Sequence, residues 1–309
     1  MWFVFDGDKA EMFDEVVAGK KIGSVNTAEG EITLVYKTSN LLMFNKNKKE
    51  TPPAQLYPLL KSNLQKQIRR GEKEAITTAS MMLDLDEFEL LRRLSIIAAE
   101  DVIISQETSR IVWYMASVSK RFILSEKDKR FILRYVYSLI ECGKCRRLEI
   151  NQNNIEKRND KRNEKLKMSE VLKSNHPEKN KLAGILFRYY FGGLSGDLPM
   201  LSELCDDILQ GRDLDMLMKD DRSNIIDLPP LKFCEAAIDF HIYPNLLSLI
   251  KQDTNIEENV IKSCIWQCSS RINYRYKESS DLNHIWQKIY PSFLHHTKLY
   301  LSKIVKKYF

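Results

Sequence analysis

Residues 151–181, NQNNIEKRNDKRNEKLKMSEVLKSNHPEKNK, limit most strongly what this chain can fold into. The stretch has no aromatic residue and few apolar ones, and is mostly Asn, Lys, Arg and Glu. It cannot bury enough apolar surface to offset the entropy of ordering itself. Any core must therefore come from the segments on either side. The stretch reads as a charged insertion, or a solvated helix, joining two helical lobes.

On its N-terminal side, residues 54–148 repeat apolar positions with a helical period. YPLLKSNLQKQIRRG starts after Tyr57-Pro58 and stops at Gly71. EKEAITTASMML is a second helix, and Asp86 is placed to cap a third, with Leu90, Leu91, Leu94, Ile97 and Ala98 on one face. SRIVWYMASVSKRFI is a fourth, and Ser125 with Asp128 caps a fifth. Residues 182–309 form the second lobe. A helix there runs to about Phe191, Gly192, Gly193 and Gly196 make a turn, Pro229-Pro230 is a breaker, and helices are expected on both sides of Pro244 and in the tail.

The first 50 residues differ. WFVF and EITLVYKTSNLLMF are strand-like, AEGE and KTSN are turn signals, and KAEMFDEVVAGKK reads as a helix ending at Gly19. The expected fold class is mainly α: a helical bundle in two lobes with a small N-terminal α+β element.

Forty-eight Lys and Arg against 42 Asp and Glu give a net charge of +6, which permits an acidic partner without requiring one. No run of about 18 uncharged apolar residues suggests a membrane span. The N-terminus turns acidic after five residues, unlike a signal peptide, so the chain reads as intracellular with reduced thiols.

The chemistry-bearing residues form separate groups. Cys142-Gly-Lys-Cys145 is a lone C-x-x-C; zinc would need a second pair, which Cys264 and Cys268 at i,i+4 offer on paper. Their apolar neighbours make core thiols the expectation, so no metal or cofactor is expected. Asp239 and His241, with Asp197 beside the glycine turn, are the candidates for acid–base catalysis, and their convergence on one network would mark a site. His295-His296 lies in a basic amphipathic tail and reads as surface. Lys66, Arg69, Arg70 and Lys73 are spaced i, i+3, i+4, i+7, a stripe able to lie along phosphates. Arg271 and Arg275, in a polar and aromatic stretch, suit nucleic acid, a protein partner or a helix C-terminus. Arg92, Arg93, Glu100 and Asp101 read as structural ion pairs, with Asp101 partly buried and served by Arg93.

Lys61–Gly71 reads K-S-x-x-x-x-x-x-R-x-G, and Leu90–Asp101 reads L-x-R-R-L-x-I-I-A-A-E-D. With the small-residue helix between them, they resemble the region after the motor in AAA+ ATPases of the Werner-helicase-interacting, or replication-associated recombination, protein class. The resemblance covers residues 59–104. It implies an all-helical collar that packs subunits together. No Walker A motif or motor module precedes it, so ATP hydrolysis is implied only in a partner. The expected function is a non-enzymatic DNA replication or repair accessory or scaffold, assembling through that lobe and contacting DNA, a motor ATPase or a second copy. The alternatives are a nucleic-acid-processing hydrolase using Asp239 and His241, or a pure protein-interaction module.

Overall fold

The computed structural model describes residues 1–37, 56–142, 166–192, 196–211, 228–270 and 280–308. It is mainly α-helical with a small N-terminal sheet, and the chain divides into two units. The first comprises Met1–Lys49 and Asp86–Asn224; the second comprises Glu50–Leu85 and Ile225–Phe309. The helices at 56–85 therefore belong with the tail of the chain, whereas the sequence placed them with residues 86–148.

The first unit is built on four strands in the order β2-β1-β4-β3. They are β1 Trp2–Phe5, β2 Ala10–Phe13, β3 Lys20–Thr27 and β4 Gly30–Tyr36. β1 pairs parallel to β4 and antiparallel to β2; β3 and β4 form a hairpin with a bulge between Lys21 and Gly23. The helix expected over residues 9–21 is corrected to a strand and a loop. Ala10 and Met12 are buried while Glu11 and Phe13 are half-buried, an alternation with a period of two that pairs with the apolar β1. Gly19 does not end a helix. It sits at φ +154°, where a Cβ would lie 2.4 Å from Val35 Cγ1, so only glycine lets the chain pass the sheet this closely.

Against the sheet pack α3 (Thr108–Ser119) and α6 (Lys179–Phe191), with α1 (Leu56–Arg70), α2 (Ala75–Asp101), α4 (Glu126–Cys142) and α5 (Met168–Lys173) completing the numbering so far. α2 is interrupted at Asp86 (φ −159°, ψ 93°), where the chain passes from one unit to the other. Asp86 Oδ1 accepts from the Glu89 N–H at 3.2 Å, so this residue caps the helix that follows, as expected. Ser125 and Asp128 cap α4 reciprocally, at 2.9 and 3.2 Å. Asp101 is buried, and Arg92 bonds Glu89 at 3.0 Å on its own helix.

Part of the charged stretch is folded. Met168 and Val171 are buried, and Lys181, 2% exposed, pairs with Glu178 at 3.1 Å. α3 and α6 meet where Gly184 lies over Ser109: a Cβ there would be 2.3 Å from Ser109 Oγ and 3.1 Å from its Cα. Gly184→Ala is expected to cost about 1–3 kcal/mol through overpacking. Urea unfolding measures it, and adding Ser109→Gly should recover part of the loss.

The second unit contains α1, the first part of α2, α8 (Leu246–Thr254), α9 (Glu258–Cys264) continued by a π turn over Ile265–Ser269, and α10 (Ser280–Tyr308). α7 (Asp197–Leu209) belongs to the first unit. Before Pro244 the chain forms only a 3-10 turn, Glu235–Ala237, where a helix was expected. One core joins Leu246, Ile250, Ile261, Cys264, Ile265, Ile289 and Phe293. Another joins Leu59, Cys234, Ala236, Ala237, Ile238 and Ile304.

Candidate functional site

α1 is buried on more than its apolar side. Leu59, Leu60, Leu64 and Ile68 face the core, but Asn63 and Gln67 are also fully buried and Lys66 is 6% exposed. Such polar groups need internal partners, and the segment 228–243 supplies them. Asn63 Nδ2 donates to the Lys232 carbonyl at 2.9 Å and to Thr78 Oγ1 at 3.0 Å, while Asn63 Oδ1 accepts from the Cys234 N–H at 2.9 Å. Gln67 Nε2 donates to the Lys232 carbonyl at 2.8 Å.

Lys66 Nζ donates to Asp239 Oδ2 at 2.6 Å and to Ser62 Oγ at 3.0 Å. Burial pulls the Lys66 ammonium below its ordinary pKa, more than the Asp239 charge restores. Burial also works to raise the Asp239 carboxyl, but the Lys66 charge and hydrogen bond and the His241 N–H overcome it and hold the carboxyl low. Asp239 Oδ1 accepts from the His241 N–H at 2.9 Å and lies 3.2 Å from His241 Nδ1. Asp239 thus closes an Asx turn and anchors a buried ion pair at once.

The two arginines of α1 cap another helix. Arg69 Nη1 donates to the Ser270 carbonyl at 2.7 Å, and Arg70 Nη2 donates to the Ser269 carbonyl. These carbonyls end the α9–π segment, where cationic donors satisfy exposed acceptors and complement the dipole. Arg271 and Arg275, for which nucleic acid, a protein partner and a helix C-terminus were all open, lie outside the described residues.

Of the stripe, Lys66 is buried on Asp239, Arg69 and Arg70 are half-buried and donate to the Ser270 and Ser269 carbonyls, and Lys73 is exposed. Of the catalytic candidates, Asp239 and His241 meet, while Asp197 belongs to the first unit. Cys264 is a core thiol, and among the described residues no group of three His, Cys, Asp or Glu is disposed to hold a metal. Cys145 lies outside them. His296 is less superficial than expected, its side chain 13% exposed and its Nε2 2.9 Å from Asp253 Oδ2.

α10 carries a group of exposed cations. From Leu282 to Tyr308 the sequence contains no Asp or Glu but five Lys and three His. Ile289, Phe293, Thr297 and Ile304 are buried on one side, and Lys288, His295, Lys298, Lys303 and Lys306 are exposed. At 100° per residue Lys288, His295, Lys298 and Lys306 lie on the face away from these buried residues, and Lys303 lies at its edge beside Ile289. From Lys288 to Lys306 this face runs for roughly 27 Å. Leu299, 49% exposed, lies along it, while Tyr290 lies on the other side of the helix and donates its hydroxyl to Glu235 Oε2 at 2.9 Å. The sequence held the signal in the absence of carboxylates over the whole tail.

No family model, no curated protein and no solved structure matches this chain. No helix among the described residues is long and apolar enough to cross a membrane.

Proposed function

We propose that this protein is a non-enzymatic nucleic-acid accessory or scaffold protein that contacts phosphates through α10. The observation that carries this reading is the exposed row Lys288, Lys298, Lys303 and Lys306 on a helix stretch with no carboxylate of its own, the nearby Asp253 being bonded to Ser292 and His296. The row's length matches about eight base pairs of duplex axis at roughly 3.4 Å each. Leu299 adds apolar surface for a sugar. The resemblance of residues 59–104 to a replication-associated collar supports a setting in DNA replication or repair, with a motor ATPase or a second copy as partner. That stretch is divided at Asp86 between the two units, so an assembly role would draw on both.

The non-enzymatic part rests on the state of Asp239. The Lys66 ammonium and the His241 N–H hold the Asp239 carboxyl below its ordinary pKa, which makes it a weak base at neutral pH.

A salt series of DNA binding tests the reading. Lys298→Ala/Lys303→Ala/Lys306→Ala should weaken binding and reduce the slope of log K against log salt by about 2–3. Lys73→Ala should leave the slope unchanged. Equal slopes for the triple variant and the parent protein would remove α10 as the contact.

A further inference from the structure

Phe240, His241 and Trp266 gather at the surface of the second unit. Their ring centroids are 4.4 Å apart for Phe240 and His241, 5.7 Å for Phe240 and Trp266, and 6.4 Å for His241 and Trp266. The His241 and Trp266 planes differ by only 15°, so a flat ring laid on one is nearly parallel to the other. Trp266 is 40% exposed and the His241 side chain 63%. Lys262, one turn before Trp266 and also exposed, places its Nζ 5.2 Å from the Phe240 centroid and 5.3 Å from that of Trp266.

The buried network around α1 holds these rings in place. Asp239, bonded to Lys66, accepts from the His241 N–H at 2.9 Å and lies 3.2 Å from the ring Nδ1. Trp266 stands in the π turn Ile265–Ser269, whose Ile265 is fully buried in the core. Arg70 and Arg69 donate to the Ser269 and Ser270 carbonyls at the end of that turn. π turns are rare and occur frequently at functional sites. The rings are thus set before a ligand arrives, which lowers the entropy cost of binding.

Aromatic faces accept flat π systems, cations or apolar groups. A cationic ligand is disfavoured here, because Lys262 already lies over two of the rings. A planar ligand that carries negative charge suits both features, and bases joined by phosphates are such a ligand. Of the carboxylates at the start of α9, Glu257 is bonded to Lys251 at 2.9 Å. Glu258 lies about two turns before Trp266, roughly 12 Å along the axis. In the interior of a duplex both faces of a base are covered by its neighbours, so the base that stacks must be unpaired.

We propose that Trp266, with Phe240, His241 and Lys262, is a stacking platform for an unpaired base of a single-stranded nucleic acid. Lys262 meets an adjoining phosphate. The proposal rests on the nucleic-acid reading of this protein but not on α10.

The test compares an oligothymidylate of about 12 nucleotides with an abasic strand of the same length, which keeps every phosphate and lacks the bases. The parent protein should bind the oligothymidylate about 5- to 150-fold more tightly, the effect of one stacked base. Trp266→Ala should bind the two strands alike and keep the parent's slope of log K against log salt, because it removes no charge. Trp266→Phe should retain part of the difference. Lys262→Ala should lower the slope by about 0.7. If Trp266→Ala does not fold, the two strands on the parent protein still decide the matter. Equal binding of both strands by the parent protein would overturn the proposal and leave the rings to a protein partner. A difference that survives in Trp266→Ala would overturn it too. Lys298→Ala/Lys303→Ala/Lys306→Ala, carried through the same series, separates the two readings. If its slope falls while the parent protein binds both strands alike, only the platform fails. If its slope is unchanged while Trp266→Ala abolishes the difference, only α10 fails. No binding of either strand overturns both.

Discussion

Lys66→Met is expected to destabilise the protein by about 3–5 kcal/mol at pH 7, because it leaves a buried carboxylate without its counter-ion. Asp239 Oδ2 lies 2.6 Å from Lys66 Nζ, and the two side chains are only 10% and 8% exposed. Without the ammonium, the His241 groups alone oppose the burial that works to raise the Asp239 pKa. The sign of the pH dependence follows. In the parent protein the Asp239 pKa is lowered by folding, so its contribution is present above the unfolded value of about 3.9 and lost as pH falls below it. In the variant the carboxyl pKa should rise, because burial then lacks its main opponent, and protonation should relieve the penalty on acidification. The two stability curves should therefore converge on acidification when followed by urea unfolding between pH 7 and pH 4. Lys66→Met/Asp239→Asn keeps an acceptor for the His241 N–H and should recover most of the loss. A deficit under about 1 kcal/mol, or one independent of pH, would show that the pair is not what holds the segment around Asp239 to α1.

How much of this was readable beforehand depended on how local each cause was. The cap at Asp86 and the box of Ser125 with Asp128 need only residues three apart, and both were legible. Ala10–Phe13 was misread because four residues cannot show a period; its partner Trp2–Phe5 decides its state. The helical spacing of Lys66, Arg69 and Arg70 was read correctly, but spacing does not say what a face meets. Their partners Asp239, Ser270 and Ser269 are 173, 201 and 199 residues away in sequence. The pairing of Asp239 with His241 was legible because an aspartate two residues before a backbone N–H commonly closes a turn. The tail was recognised as basic and amphipathic, yet its importance emerged only once the cations of α1 proved to be engaged.

Trp113→Ala is expected to cost about 3–5 kcal/mol and to disorder the packing of the sheet on α3. Trp113 is fully buried, and its Nε1 donates to the Phe3 carbonyl at 3.0 Å. Its ring lies 4.9 Å from Phe5, 5.4 Å from Phe122 and 6.0 Å from Tyr36. One side chain therefore joins β1, β4 and the turn after α3 to the helix that carries it. Truncation removes the ring and leaves a cavity that these aromatic neighbours are too rigid to fill. Trp113→Phe separates the causes. It keeps most of the volume but removes the indole N–H, so it should lose only about 1–2 kcal/mol. Circular dichroism in the near ultraviolet, with urea unfolding, distinguishes the outcomes. If alanine and phenylalanine cost the same, the hydrogen bond to Phe3 fixes the sheet; if alanine costs at least twice as much, aromatic packing does. If neither costs more than about 1 kcal/mol, this cluster is not the centre of the first unit's core.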